Sequence, residues 1–269
     1  MNTGHLPSKK TADETARTPI KGTVRRQAGQ SIRERWNDYL DDEAVLAVLP
    51  LGFMIWWLLI ELLHRHSKQQ TSLWLIGFLI LLSAVNFGWR LWRIRHRAKL
   101  IWQGLDGEKY VAQIIERDLI PQGYRVFHDL LFEKGKRKFN IDHLLIGPNG
   151  IFCIETKTWS KPMKGETVAT FDGNYIYLNG KVRQREAVGQ ACALANEASA
   201  FIKGLTGLAI NVVPVVVVVG WYVRKTYAGI PKVLVVNEEA LAVFVENVKG
   251  LLPPANIELI AQKIGEKNK

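Results

Sequence analysis

The chain is poor in cysteine. Two residues, Cys153 and Cys192, among 269 are too few for a disulfide scaffold and exclude a four-cysteine zinc site. No catalytic Cys-His pair and no glycine-rich phosphate loop is present, and there is no internal repeat. Ten prolines and 48% apolar residues set the chain apart from disordered polymers. Residues 1–43 lack a long apolar run and carry basic clusters such as Lys9-Lys10 and Arg25-Arg26, so no cleaved signal peptide is expected. Within them, Ile32, Trp36 and Leu40 lie along one side of a short helix predicted for residues 31–42.

What the sequence does contain is two long apolar runs, residues 44–63 and 72–92. Each has the roughly twenty residues that a bilayer-spanning helix needs. Glu61 is the only charge in the first and sits near its end; Pro50 is tolerated in such helices. Trp56, Trp57, Trp74, Trp89 and Trp92 lie toward the ends, as an aromatic belt would place them. A buried soluble hairpin is the alternative, and runs of this length and purity argue against it. Arg25, Arg26, Arg33 and Arg35 precede the first run. Arg93, Arg95, Arg97 and Lys99 follow the second, while the link holds only Arg65 and Lys68. The positive-inside rule then places both termini on the cytoplasmic face of the inner membrane, with lipid bilayer as a partner. Asn86 offers a hydrogen bond between helices and thus a means of self-association.

The formal charge of +11 is therefore weak testimony for nucleic acid. Residues 1–100 hold 15 Lys+Arg against 8 Asp+Glu, and residues 101–269 hold 21 against 17. Topology and anionic lipid account for much of the excess.

Beyond residue 104 the periodicity is that of an α/β domain. Tyr110, Val111, Ile114, Ile115 and Leu119 recur at helical spacing, and Pro121-Gln122-Gly123 ends that helix. Strands are predicted at 124–132, 139–146 and 151–157, with turns at 147–150, 172–174 and 179–180. An Ala-rich helix follows at 185–205. The valine run 212–219 fits a strand buried on both faces, and a strand at 232–236 and a helix at 238–248 complete the order. The domains expected are a basic tail 1–43, a hairpin 44–92, a juxtamembrane linker 93–103, a soluble domain 104–250 and a C-terminal extension 251–269.

A turn centred on Pro148-Asn149 sets Asp142 directly across from Glu155, with Cβ atoms about 5 Å apart. Lys157, two residues on, points the same way. Two opposed acids in an apolar sheet repel and resist desolvation unless something positive joins them. A divalent cation with oxygen ligands, Mg²⁺ or Mn²⁺, is one solution; a salt bridge of Lys157 with the acids is the other. His143 should face the opposite side, packed or hydrogen-bonded. His128-Asp129 reads as a surface pair at a strand end, and both cysteines as small core residues.

These stretches, GEKYVAQII at 107–115, NIDHLLIGPNGIFCIETKTW at 140–159, REAVGQACALA at 185–195 and VVPVVVVVG at 212–220, resemble the nuclease-related domain (NERD) family. The resemblance covers roughly residues 104–247. It implies a restriction-endonuclease-like mixed sheet flanked by helices, here preceded by a transmembrane hairpin, with a D–(D/E)xK signature. By that resemblance Asp142 and Glu155 are metal-binding acids and Lys157 the catalytic lysine. Glu108 is a helical acid that joins the metal shell, and Gln190 a polar residue facing the site. The proline that precedes the first acid in this fold is replaced by Ile141. The implied activity is Mg²⁺- or Mn²⁺-dependent hydrolysis of nucleic acid, DNA in preference to RNA, in DNA processing or defence against foreign DNA. The rivals are a non-cutting nucleic-acid binder and a membrane scaffold. Lys136, Arg137, Lys138, Lys161, Lys164, Arg183 and Arg185 are the candidates for phosphate contacts. Trp159 is placed to stack on a base or to pack.

Overall fold

The computed structural model describes residues 26–63, 73–134, 137–182 and 185–267. Two long helices come first. α1 spans Gln30–Leu63 and includes Pro50, so the short helix predicted at 31–42 and the first apolar run form one element. α2 spans Leu73–Ile114 and joins the second apolar run to the first helix of the domain. Residues 93–103, read from the sequence as a linker, are helical, because Arg, Ile, Ala, Lys, Leu and Gln there are all compatible with continued helix. Both helices are long and apolar enough to cross a membrane. Their apolar side chains face outward, Trp74 at 91% and Leu63 at 80% exposure.

α2 ends in a π turn, Ile115–Leu119, and a 3-10 turn, Ile120–Gln122, closed by Gly123 at φ 89°. Strands β1 (Arg125–Lys134), β2 (Arg137–Gly147) and β3 (Gly150–Lys157) follow. After these come β4 (Val168–Phe171), β5 (Ile176–Leu178), β6 (Lys181–Val182) and α3 (Arg185–Thr206). β7 (Val212–Val218), β8 (Tyr222–Lys225), β9 (Leu234–Val236), α4 (Leu241–Glu246) and α5 (Pro254–Lys267) complete the chain.

The main sheet has the order β1-β2-β3-β7-β9. Its first three strands are antiparallel and the rest parallel, a mixed sheet as expected. A second sheet, β6-β5-β4-β8, was only half visible in the sequence: β8 is four residues of mixed character, paired parallel to β4. α5 was likewise unassigned. Its Ile257, Ile260 and Ile264 are buried against Leu144, Ile146 and α3, each contributing about 1.5–3 kcal/mol. On the opposite face, Val111, Ile115 and Leu119 cover Leu145, Phe152, Ile154 and Val215.

The β2–β3 turn is held from outside. Asn149 accepts from the Tyr124 hydroxyl at 2.8 Å and donates to the carbonyls of Glu246 and Val248. A Cβ on Gly147 would overlap the Tyr124 ring. Gly147→Ala is therefore expected to lower stability by about 1–3 kcal/mol, since the buried ring has no room to retreat. Thermal melting of the full chain in detergent would check it.

Candidate active site

The β2–β3 register runs from Gly147↔Gly150 to His143↔Ile154. That is the register read from the turn, and its next step sets Asp142 against Glu155. The ladder stops there because Asp142 turns its carboxylate to accept the Thr156 amide at 2.8 Å. Both acids are buried, at 8% and 3% exposure.

Lys157, at the end of β3, is the positive group beside them. Its Nζ donates to Glu155 Oε1 at 2.6 Å and to Gln190 Oε1 on α3 at 3.2 Å. Gln190 is exposed, so the cluster reaches the surface along the lysine.

Glu108 enters from α2. A Cβ on the preceding Gly107 would overlap the Thr158 side chain, so glycine lets the helix approach the end of β3. Gln103 fastens the same helix to that segment: its Nε2 donates to the Thr158 carbonyl at 3.5 Å and its Oε1 accepts from Ser160. Glu108 is 7% exposed.

The electrostatics follow from packing acids into a dry space. Burial, followed by the charges of Asp129 and Glu155, pushes the Glu108 carboxyl up to about 7. Burial, then Glu155 and Glu108, holds Asp142 well above the usual carboxylate range. Burial also raises Glu155, against the relief given by Lys157. Glu108 Oε2 and Glu155 Oε2 are buried without a hydrogen-bond partner. Among the described residues no group of three or more His, Cys, Asp or Glu side chains forms a ready-made metal cage. What the acids offer is unpartnered oxygens on a cluster short of positive charge.

The structure adds a fourth acid. Asp129 is fully buried, which corrects its reading as a surface residue. It interrupts the β1 ladder between His128↔His143 and Leu130↔Ile141, opposite Asp142, with φ at 49°. An acid inside the apolar stretch VFHDLLF was the available signal. His143 is buried and paired with His128 at 2.8 Å between Nδ1 atoms, as anticipated for His143 but not for His128. Burial and the neighbouring His128 hold His143 well below the usual histidine range.

The basic candidates divide. Lys138 is exposed and pairs with Glu133 at 3.1 Å. Lys161 and Lys164 are exposed, Lys161 lying over Gly220. Lys136 and Arg183, and the side chains of Arg137 and Arg185, lie outside the described residues. Trp159 packs: it borders the cluster around Trp221 and accepts the Trp221 indole N–H at 3.2 Å. Cys153 is buried and Cys192 partly buried, both as free thiols.

A mixed α/β sheet bearing this cluster is suited to a nuclease-like domain. Residues 103–219 match the family model of the nuclease-related domain, NERD. No curated protein and no solved structure matches the chain.

Proposed function

We propose that this chain is a membrane-anchored, divalent-metal-dependent nuclease that hydrolyses phosphodiester bonds, with DNA preferred over RNA, at the cytoplasmic face of the inner membrane. The observation that carries the reading is the set of buried acids around Lys157 with carboxylate oxygens left unpartnered. The outward-facing apolar helices support the anchor, and Arg93, Arg95, Arg97 and Lys99 support the orientation. A restriction-endonuclease-like arrangement is consistent with the three antiparallel strands that present the acids.

The donor set suits Mg²⁺ or Mn²⁺. These ions take oxygen ligands, and Mg²⁺ commonly uses one or two carboxylates, completing its shell with water and substrate phosphate. Asp142 and Glu155, with Glu108 adjoining, would hold the ion. It would supply Lewis-acid polarisation of the phosphoryl group.

The protein's own groups do the positioning. Lys157 spends two of its three N–H donors on Glu155 and Gln190, leaving one to orient the attacking water or a phosphoryl oxygen. Gln190 fixes the ammonium from the surface side. Lys161 and Lys164 would lie along the backbone of the nucleic acid. Gln190→Ala is expected to lower the cleavage rate about three- to tenfold, the value of one hydrogen bond, in a single-turnover assay.

The test is incubation of the full chain in lipid discs with supercoiled plasmid and, in parallel, single-stranded RNA, in Mg²⁺ or in EDTA. Mg²⁺-dependent loss of either substrate is the expected result. A mobility shift without cutting would favour the binding module instead.

A further inference from the structure

We propose that the start of α1, with the turn before it, is a working part of the site: it fixes Asp129 in place and packs against Glu108, so the pairing of the two apolar helices sets the site's geometry. This rests on the nuclease reading and names the elements that control that site.

The contacts are specific. The chain turns at Gly29, φ 74°, and enters α1. The Ser31 amide donates to Asp129 Oδ2 at 3.0 Å, and Arg26 Nε donates to the same oxygen at 2.7 Å. Asn140, two residues before Asp142, donates to Ser31 Oγ at 2.9 Å. Gly29 lies against the Glu108 carboxylate, and Arg35 is the cation whose charge favours its ionised form. Arg35 thus reaches Glu108 from α1 and Gly29 from the turn just before it, although Glu108 itself belongs to α2. Ser31 and Trp36 are buried by this docking.

Asp129 shows why the docking concerns the site. It stands opposite Asp142 in a left-handed backbone conformation that costs an L-residue energy and persists only where surroundings enforce it. Here the enforcing partners are Arg26 and the free amides of a helix start, which favour a carboxylate. Releasing α1 would leave Asp129 buried without donors beside the metal-binding pair.

The link to the membrane is continuous. Gly29 lies against Leu105, the Arg97 guanidinium sits 5.0 Å over the Tyr39 ring, and Arg90 pairs with Glu43 at 2.6 Å. α1 and α2 therefore run antiparallel from the site to the edge of the apolar runs. An axial slip of one residue, about 1.5 Å, would break the hydrogen bonds that Ser31 makes with Asp129 and Asn140.

Gly29→Val separates this from a passive tether. A Cβ there would overlap Leu105 at a φ that valine resists, so the turn must leave. Arg26→Ala is the milder variant and Arg26→Lys its rescue. Three measurements on the full chain in lipid discs decide it: hydrogen exchange of residues 26–36, Mn²⁺ affinity by electron paramagnetic resonance, and plasmid cleavage. Gly29→Val is expected to expose residues 26–36 to exchange while β3 stays protected. Mn²⁺ affinity and cleavage are each expected to fall about ten- to a hundredfold, the range for lost outer-shell support. Arg26→Ala should fall between, and Arg26→Lys should recover. Release of residues 26–36 with both values within about twofold of wild type, or wild-type exchange showing those residues unprotected, overturns the inference. Wild type that neither binds Mn²⁺ nor cuts overturns the nuclease reading first, and this inference with it.

Discussion

Asp142→Asn is expected to raise the melting temperature of the metal-free protein while lowering cleavage by about a thousandfold or more, the several kcal/mol of transition-state stabilisation that a metal site supplies. The amide keeps the shape of the side chain and an oxygen to accept the Thr156 N–H. It removes a charge that burial, Glu155 and Glu108 all oppose. A gain of about 1–3 kcal/mol is the expected size, as for other sites that hold like charges together for function. The pH dependence has the same origin. A carboxyl whose folded value is raised binds its proton more tightly in the folded state, so stability falls as pH rises between the unfolded and folded values. For Glu108 that window runs from its ordinary 4.5 to about 7. The metal-free protein should therefore gain stability as pH is lowered through this range. Asp142→Asn should flatten the gain, because it removes one of the like charges. Calorimetry with EDTA across that range would measure both effects.

Lys157→Met is the second large effect. Methionine keeps the length and apolar stem of lysine but cannot donate. Glu155 loses the partner that eases its ionisation, and Gln190 loses the group it steadies. Cleavage should fall about 10²–10³-fold, the usual loss when one aimed donor is removed from a low-dielectric site. The fall should appear in the single-turnover rate rather than in DNA binding. Because Glu155 then ionises less readily, the remaining activity should recover in part as pH rises. A pH profile of the variant beside wild type would show this shift. Equal loss of DNA affinity would instead make Lys157 a substrate-binding residue.

The site was legible in the sequence where its geometry is local. Gly147-Pro148-Asn149-Gly150 sets a tight turn, side chains alternate along strands, and those two facts suffice to oppose Asp142 and Glu155 and to place Lys157 beside them. The neighbour Gln190 needed the family resemblance, because helix α3 is separated from β3 by strands β4, β5 and β6 in sequence. Glu108 needed it too, and Gly107 supplies the physical reason for its approach.

Asp129 was not legible. A strand pattern predicts which face a residue takes, and it cannot foresee that one residue leaves the strand conformation to meet a helix start about a hundred positions earlier. Arg26 and Ser31 carried no signal for the same reason: each is an ordinary polar residue ahead of an apolar run. The helices were found but cut too short. Apolarity marked where each run ends, whereas the helix continues through Arg-rich turns that favour it equally. β8, with four residues, is too brief to show a period, whereas α5 carries a short one in Ile257, Ile260 and Ile264.

The central claim is that Asp142 and Glu155 form a site that requires a divalent cation. Thermal melting of the full chain with increasing Mg²⁺ tests it most directly, since an ion that binds only the folded state stabilises it by about 2.7 kcal/mol at a hundred times its Kd. The melting temperature of wild type is expected to rise and saturate with Mg²⁺, and that of Asp142→Asn to show no rise. An equal rise in both proteins would place the ion elsewhere and contradict the account.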